Sequence, residues 1–289
     1  QFPLRVPLSF AASMEKGNPD DPLLRQVLPI ESELLDYPGF KLDPVGDIQA
    51  VVQLGLLHKY QGRVLLINTG SCAINCSYCF RRNFPYNELQ LSKRQENGAI
   101  AYIKSDTTIT EVILSGGDPL LLSDARLAQL IKQLEAISHI KRIRIHSRLP
   151  IVLPARITDG LVRILALCSK QVVLVVHANH PNEINERVVS AIKPLKNIGL
   201  ALFNQSVLLK GVNDTAQTLS ELSEKLFAIG ITPYYLHLLD KAVGTGHFEI
   251  AEAGAKILIE ALQKQLPGYL VPKLVKEIAG AASKQYVFA

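Results

Sequence analysis

The 289-residue chain carries a net charge of +5, with 48% hydrophobic and 20% charged residues, the balance of a globular protein with a sizeable core. Its Lys and Arg are scattered rather than gathered in a stripe, which argues against a nucleic-acid or membrane surface as partner. No apolar run is long enough to cross a bilayer, and the opening QFPLRVPLSF lacks a signal-peptide core, so the expected compartment is the cytosol.

In chain order, residues 1–60 hold PDDPLLRQVLP and further proline-bearing stretches, and read as a wrapping extension rather than a separate unit. The chain starts at Gln1 and not at Met, so a preceding piece is expected to have been removed or to lie outside the sequence. From there residues 61–289 alternate short β-rich runs with helical periodicity. The runs RVLLIN from Arg63, EVILSG from Glu111, RIRIHS from Arg142, QVVLVVH from Gln171, LALFNQS from Leu200 and PYYLHLL from Pro233 predict six strands. Between them, Ser123 precedes a helical stripe of Leu127, Leu130, Ile131 and Leu134. Asn182 precedes another, of Ile184, Val188, Val189, Ile192 and Leu195, and a third begins at Asp214 with Leu219, Leu222 and Leu226. Six βα units with near-continuously apolar strands predict a parallel sheet covered by helices. They are too few for a closed eight-stranded barrel. An open, partial barrel of α/β class with an N-terminal extension is the expected fold, and a doubly wound sheet is its rival.

Under either topology the polar punctuation falls where strands end. SCAINCSYC (71–79) follows the first strand, SGGDP (115–119) the second and HSR (146–148) the third. HANHPNE (177–183) follows the fourth, and Asp240 with GTGH (244–247) the sixth. Parallel α/β architectures gather their active sites at these ends, so the segments are expected to converge.

Three of the four cysteines, Cys72, Cys76 and Cys79, fall within eight residues as C-x₃-C-x₂-C. Four cysteines, one of them isolated, do not make the disulfide framework of a small secreted domain, and in a reducing compartment such a cluster points to metal or catalysis. The fourth, Cys168, sits in the helical pattern LVRILALCSK and reads as a small buried hydrophobe. Structural zinc and ferredoxin-type clusters take four protein ligands. Three thiolates on a four-iron cube leave one iron open to a small molecule that chelates through an amine and a carboxylate.

With Tyr78 between its last two cysteines, this loop resembles the signature of radical S-adenosylmethionine enzymes, in which methionine's amine and carboxylate bind the open iron. The resemblance implies that Gly116, Gly117 and Asp118 hold the methionine amine. It narrows through GLLHKYQGRVLLI, CFRRNFPY, IHSRLPIVLPARI, NHPNEIN, NQSVLLKGVND and PYYLHLLDKAVGTGHF. These stretches resemble the lysine 2,3-aminomutase family, and MEKGNPDDPLLRQVLP resembles most its branch that makes β-lysine for elongation factor P.

That resemblance implies a [4Fe-4S] cluster, S-adenosylmethionine and pyridoxal 5′-phosphate, with Lys284 of IAGAASKQYV as the Schiff-base lysine. It further implies Arg81 for the substrate carboxylate, which suits a guanidinium fork, and Asp240 with Glu277 for the substrate's distal ammonium. Two acids there would repel a glutamate side chain. Arg63 and Lys59 fall at the pyridoxal phosphate's phosphate anchors, and His177 and Gln205 in the S-adenosylmethionine pocket. A flavoprotein or ferredoxin as electron donor, and a link to elongation factor P and its lysine ligase, follow from the same resemblance. Whether lysine is taken free or protein-bound is left open.

The chain also departs from the free-lysine enzymes of that family. GAAS replaces a glycine run before the lysine, Glu277 stands where aspartate is usual, and Thr215 stands at a zinc-binding cysteine. No structural zinc is therefore expected, and the absence of a cysteine-bearing C-terminal extension argues against the tetramer it supports. Two other readings remain at this point: a radical enzyme without pyridoxal phosphate in which Lys284 is idle, and a non-catalytic iron–sulfur or zinc module that binds a partner.

Overall fold

The computed structural model describes residues 3–86 and 93–288. The six predicted strands are present as β3 (Arg63–Thr69), β4 (Glu111–Gly116), β5 (Arg142–Ser147), β6 (Gln171–Val176), β7 (Ala201–Val207) and β8 (Thr232–His237). They pair in chain order, each parallel to the next. A hairpin of β1 (Val51–Gln53) and β2 (Leu56–Tyr60) adds antiparallel to β3. At the other end β9 (Lys273–Lys276) adds parallel to β8, and β10 (Gln285–Tyr286) adds antiparallel to β9. The ten strands thus run in a single order from β1 to β10. No ladder joins β1 to β10 among the described residues, and the barrel is partial, as expected.

Two short helices, α1 (Leu8–Ala11) and α2 (Pro22–Arg25), lie in the N-terminal stretch. The βα units then supply α3 (Lys93–Ser105), α4 (Asp124–Glu135), α5 (Leu149–Val152), α6 (Asp159–Ala166), α7 (Glu186–Asn197), α8 (Ala216–Ala228) and α9 (Glu252–Gln265). None of the helices described is long and apolar enough to cross a membrane.

Strand alternation decides which residues hold the fold and which face the interior. On β5, Ile143 and Ile145 are fully buried against the helices, while Arg144 and His146 point into the lumen. The covering helices present the stripes read from sequence: Leu127, Leu130, Ile131 and Leu134 of α4 are buried in the main core. Each such side chain contributes about 1.5–3 kcal/mol by leaving water.

Ser123 caps α4 as predicted, accepting from the Arg126 amide. The other two helix starts are corrected. Asn182 lies in a 3₁₀ turn (Pro181–Glu183), and Asn185 caps α7 by accepting from the amides of Arg187 and Val188. Pro181 and the inward-turned Glu183 carboxylate hold that turn, so the helix begins one turn later. Likewise Thr215, not Asp214, caps α8 by accepting from Thr218. Cys168 is half-buried just beyond α6, packing at the edge of the core rather than within it.

The N-terminal stretch grips the cysteine loop. Arg5 donates to the Cys72 carbonyl (3.0 Å) and accepts from the Asn75 amide (2.9 Å), and the Gln26 carbonyl accepts from the Ser77 amide (2.8 Å). Asp21, the second acid of PDDP, caps α2 through the amides of Leu23 and Leu24, with Pro22 in the first turn where its missing N–H costs nothing. At the opposite end, β9 and β10 form a hairpin in which Gln285 pairs with Lys276. Its loop includes Gly280 at φ +77°, and it brings Lys284 back beside Glu277.

Candidate active site

The strand ends converge as their spacing predicts, with one exception: GTGH lies outside the shared cavity, its Gly244 carbonyl accepting from Arg82 and its Gly246 packed against the Tyr37 ring. A cavity of about 730 Å³ is lined by inward residues of β3 to β8, by the cysteine loop, and by the β9–β10 hairpin. Cys72, Cys76 and Cys79 line one part of it, and Lys284, Glu277 and Asp240 are also on its wall.

The three cysteines are free thiols. Burial, and then the proximity of the other two sulfurs, push the Cys72 thiol well up. Burial and Cys76 raise that of Cys79 to about 11. Cationic metal relieves both penalties at once, so metal uptake at this loop must release protons. Among the described residues no three His, Cys, Asp or Glu side chains close on a point as a one-ion site requires. Three thiols of one loop on the cavity wall are the donor set of an iron–sulfur cube with one open iron rather than of a closed four-ligand zinc site.

The glycines of SGGDP allow a close approach, but to the chain itself. A Cβ on Gly117 would stand 2.1 Å from the Ser71 carbonyl oxygen, and one on Gly116, at φ +115°, would stand 2.9 Å from that of Thr69. The Gly117 and Asp118 amides donate to those two carbonyls. The Asp118 carboxylate is taken up by the Ser147 hydroxyl and by the amides of Leu120, Arg148 and Leu149. Burial still lifts its pKa to about 6, because the bonds only partly offset the desolvation. Gly117→Ala is therefore expected to displace the cysteine loop, costing about 3 kcal/mol of stability and most of the bound iron. Metal analysis beside thermal melting checks this, and wild-type iron content would refute it.

Around Lys284 the cavity wall is a chain of charges. Lys284 Nζ donates to Glu277 Oε2 (2.6 Å), while Lys59 Nζ and Tyr60 Oη donate to Glu277 Oε1 (2.6 and 3.0 Å). Burial opposes ionisation of Glu277, but Lys284 and Lys59 outweigh it and hold its pKa far below the carboxylate range. Lys59 also donates to the Val45 carbonyl (2.6 Å) and lies 3.6 Å from Asp47. Asp47 in turn accepts from Nε of Arg81 (2.8 Å), whose Nη2 lies at ion-pair distance (2.8 Å) from the same oxygen. Asp240 is pushed the other way: burial, and then the Glu277 charge, raise its pKa to about 7. Arg63 stacks on the Tyr60 ring at 4.6 Å, and no acidic side chain lies within ion-pair distance of it among the described residues.

Other lumen side chains present unpaired polar atoms. Nε2 of His146, His177, His237 and Gln205 is buried without a hydrogen bond in the protein. Burial leads in depressing all three histidines, His177 to about 4, so each imidazole is neutral near pH 7. Unpaired buried donors and acceptors of this kind mark a cavity shaped for a polar ligand. Tyr78 lines the same cavity, edge-on to Phe248 and 5.4 Å beneath the Arg148 guanidinium.

Every site residue read from sequence therefore borders one cavity. Sequence reading gives no role to Asp47, Tyr60 or His237, which also line the cavity, whereas His146 and Arg148 belong to HSR, a strand end expected at the site.

The Radical SAM superfamily model matches residues 66–222. An L-lysine 2,3-aminomutase of Escherichia coli K12 is 53% identical over 98% of this chain and 82% of that protein. One from Haemophilus influenzae is 50% identical over 98% and 84%. Among solved structures, a radical SAM methyltransferase from Sphaerobacter thermophilus shares the fold, with a TM-score of 0.55 at 17% identity over 76% of this chain and 68% of that one.

Proposed function

Since the chain belongs to the radical S-adenosylmethionine superfamily and, within it, to the lysine 2,3-aminomutase family, we propose how its own residues perform that isomerisation. The enzyme moves the amino group of lysine from carbon 2 to carbon 3, and its cofactors are a [4Fe-4S] cluster, S-adenosylmethionine and pyridoxal phosphate. Bound together, these supply an oxidant able to remove an unactivated hydrogen and a carbonyl carbon to carry the migrating nitrogen.

Cys72, Cys76 and Cys79 would hold three irons of the cluster. Gly116 and Gly117 form the adjoining wall, and Asp118 fixes that wall to the end of β5. Tyr78, His177 and Gln205 line the space beside the cysteines, and the unpaired Nε2 atoms of His177 and Gln205 are available to a ribose or purine. Lys284 is the amine for pyridoxal phosphate. Arg63 is better placed than Lys59 for its phosphate, because the Lys59 ammonium is already shared among Glu277, Val45 and Asp47.

Arg81 would grip the substrate carboxylate, held in place from behind by Asp47. Asp240 and Glu277 would receive the distal ammonium. Glu277 accepts from Lys284 in this structure; with Lys284 committed to pyridoxal phosphate, that carboxylate oxygen would be available to the substrate's distal ammonium. The role of this β-lysine in modifying elongation factor P is supported by the resemblance of MEKGNPDDPLLRQVLP and PYYLHLLDK, and a cluster that must be reduced before each use would fit a cytosolic enzyme served by a flavoprotein or ferredoxin.

The observation that carries this reading is Lys284 standing on the wall of the same cavity as the three cysteines. The test is turnover. Anaerobically reconstituted protein, given reductant, S-adenosylmethionine and pyridoxal phosphate, is expected to convert L-lysine to β-lysine, and a product spectrum showing only α-lysine would reject it.

A further inference from the structure

We propose that Arg148 is a positioning residue whose guanidinium, donated to the sulfur of Cys76 and held there by Glu183 and Gln26, sets the reduction potential of the cluster; this rests on the reading that the three cysteines hold it. Arg148 Nη1 lies 2.7 Å from Cys76 Sγ, and Nη2 donates to Gln26 Oε1 (2.7 Å) and Glu183 Oε2 (3.1 Å). Arg148 is only 5% exposed. Its guanidinium lies 5.4 Å from the ring of Phe10 and 5.4 Å from that of Tyr78.

The position is fixed from several elements at once. The Asp118 carboxylate accepts from the Arg148 amide at 2.8 Å. The second Glu183 oxygen accepts from the amides of Asn179 and His180 and from Gln26 Nε2. Gln26 comes from the N-terminal stretch, 122 residues away in sequence. Such enforcement exceeds what an ion pair between neighbouring loops needs, and it aims a cation at one ligand sulfur.

The electrostatic consequence has a sign. Reduction adds an electron to the cluster, so a nearby cation and N–H···S donor stabilise the reduced form and raise the potential. In a buried, poorly screened site the effect is large. Glu183, farther from the sulfur and negative, opposes it. Removing one partner or the other must therefore move the potential in opposite directions.

The experiment is a redox titration of full-length, anaerobically reconstituted protein, followed by electron paramagnetic resonance, with iron and sulfide measured on each sample. Arg148→Gln is expected to lower the reduced-to-oxidised ratio at fixed potential at least tenfold, a downward shift of about 59 mV for a one-electron couple. Glu183→Gln is expected to shift it upward, and Arg148→Lys, which keeps the charge, to lie between Arg148→Gln and wild type. A merely structural ion pair would instead lower iron content or melting temperature in both variants without opposed shifts. If Arg148→Gln fails to hold iron, Arg148→Lys and Glu183→Gln decide by the same signs. Midpoints unchanged at full iron content overturn the proposal and leave the cluster assignment intact. A wild-type protein that takes up no iron and sulfide overturns both.

Discussion

Lys284→Ala is expected to keep wild-type iron and sulfide while losing bound pyridoxal phosphate and roughly a thousandfold or more of lysine turnover, a barrier increase of about 4 kcal/mol or more. The separation is possible because Lys284 is on the β9–β10 hairpin, whereas the cysteines are on the loop after β3. Losing the Lys284 ammonium leaves Glu277 still paired with Lys59 and Tyr60. The stability cost should be only about 1 kcal/mol, since the lysine side chain is a quarter exposed. Lys284→Arg sharpens the test, because it keeps the charge beside Glu277 but has no amine to condense with a carbonyl. It should melt like wild type and turn over like the alanine variant. Borohydride treatment followed by peptide mapping should place the phosphopyridoxyl group on Lys284 in wild type alone. Pyridoxal phosphate retained by Lys284→Ala, with wild-type turnover, would show Lys284 to be an ordinary hairpin residue.

What the sequence disclosed and what it hid follow from the range of the forces involved. The six strands and the Ser123 cap rest on local pattern, and there the expected and observed bounds agree within about two residues. Asn182 misled because it is as good a cap by type as Asn185. Only Pro181 and the burial of Glu183 decide between them, and that burial depends on Arg148 and Gln26 arriving from elsewhere. The β9–β10 ladder is legible only in three dimensions, since a two-residue strand has no period. Yet that ladder turns Glu277 from a solvated charge into the partner of Lys284. Asp47 was hidden for the same reason: nothing near it in sequence indicates Arg81, 34 residues on. The strand ends showed where the cavity would be, while the charge pairs that tune it are long-range choices of the fold.

Asp240→Asn tests the substrate end of that cavity and should give opposite results for binding and for stability. If Asp240 pairs with the distal ammonium of lysine, its loss leaves that ammonium buried and unmatched. The expected effect on kcat/KM is a hundredfold or greater loss, about 3 kcal/mol, with cluster and pyridoxal phosphate content unchanged. Fold stability should respond the other way. The folded-state pKa of about 7 lies above the ordinary aspartate value, so between roughly pH 4 and 7 the native state binds more protons than the unfolded one, and this group's contribution to stability falls as pH rises. Asp240→Asn should therefore melt at or above wild type at pH 8, with the difference shrinking toward pH 5. Substrate binding needs the ionised form, so in wild type kcat/KM should climb between pH 6 and 8, toward tenfold per unit on the acid side, and the asparagine variant should lose that step. A variant that keeps both wild-type kcat/KM and the climb would move the ammonium site away from Asp240 and leave Glu277, freed from Lys284 by cofactor loading, as the acid that receives it.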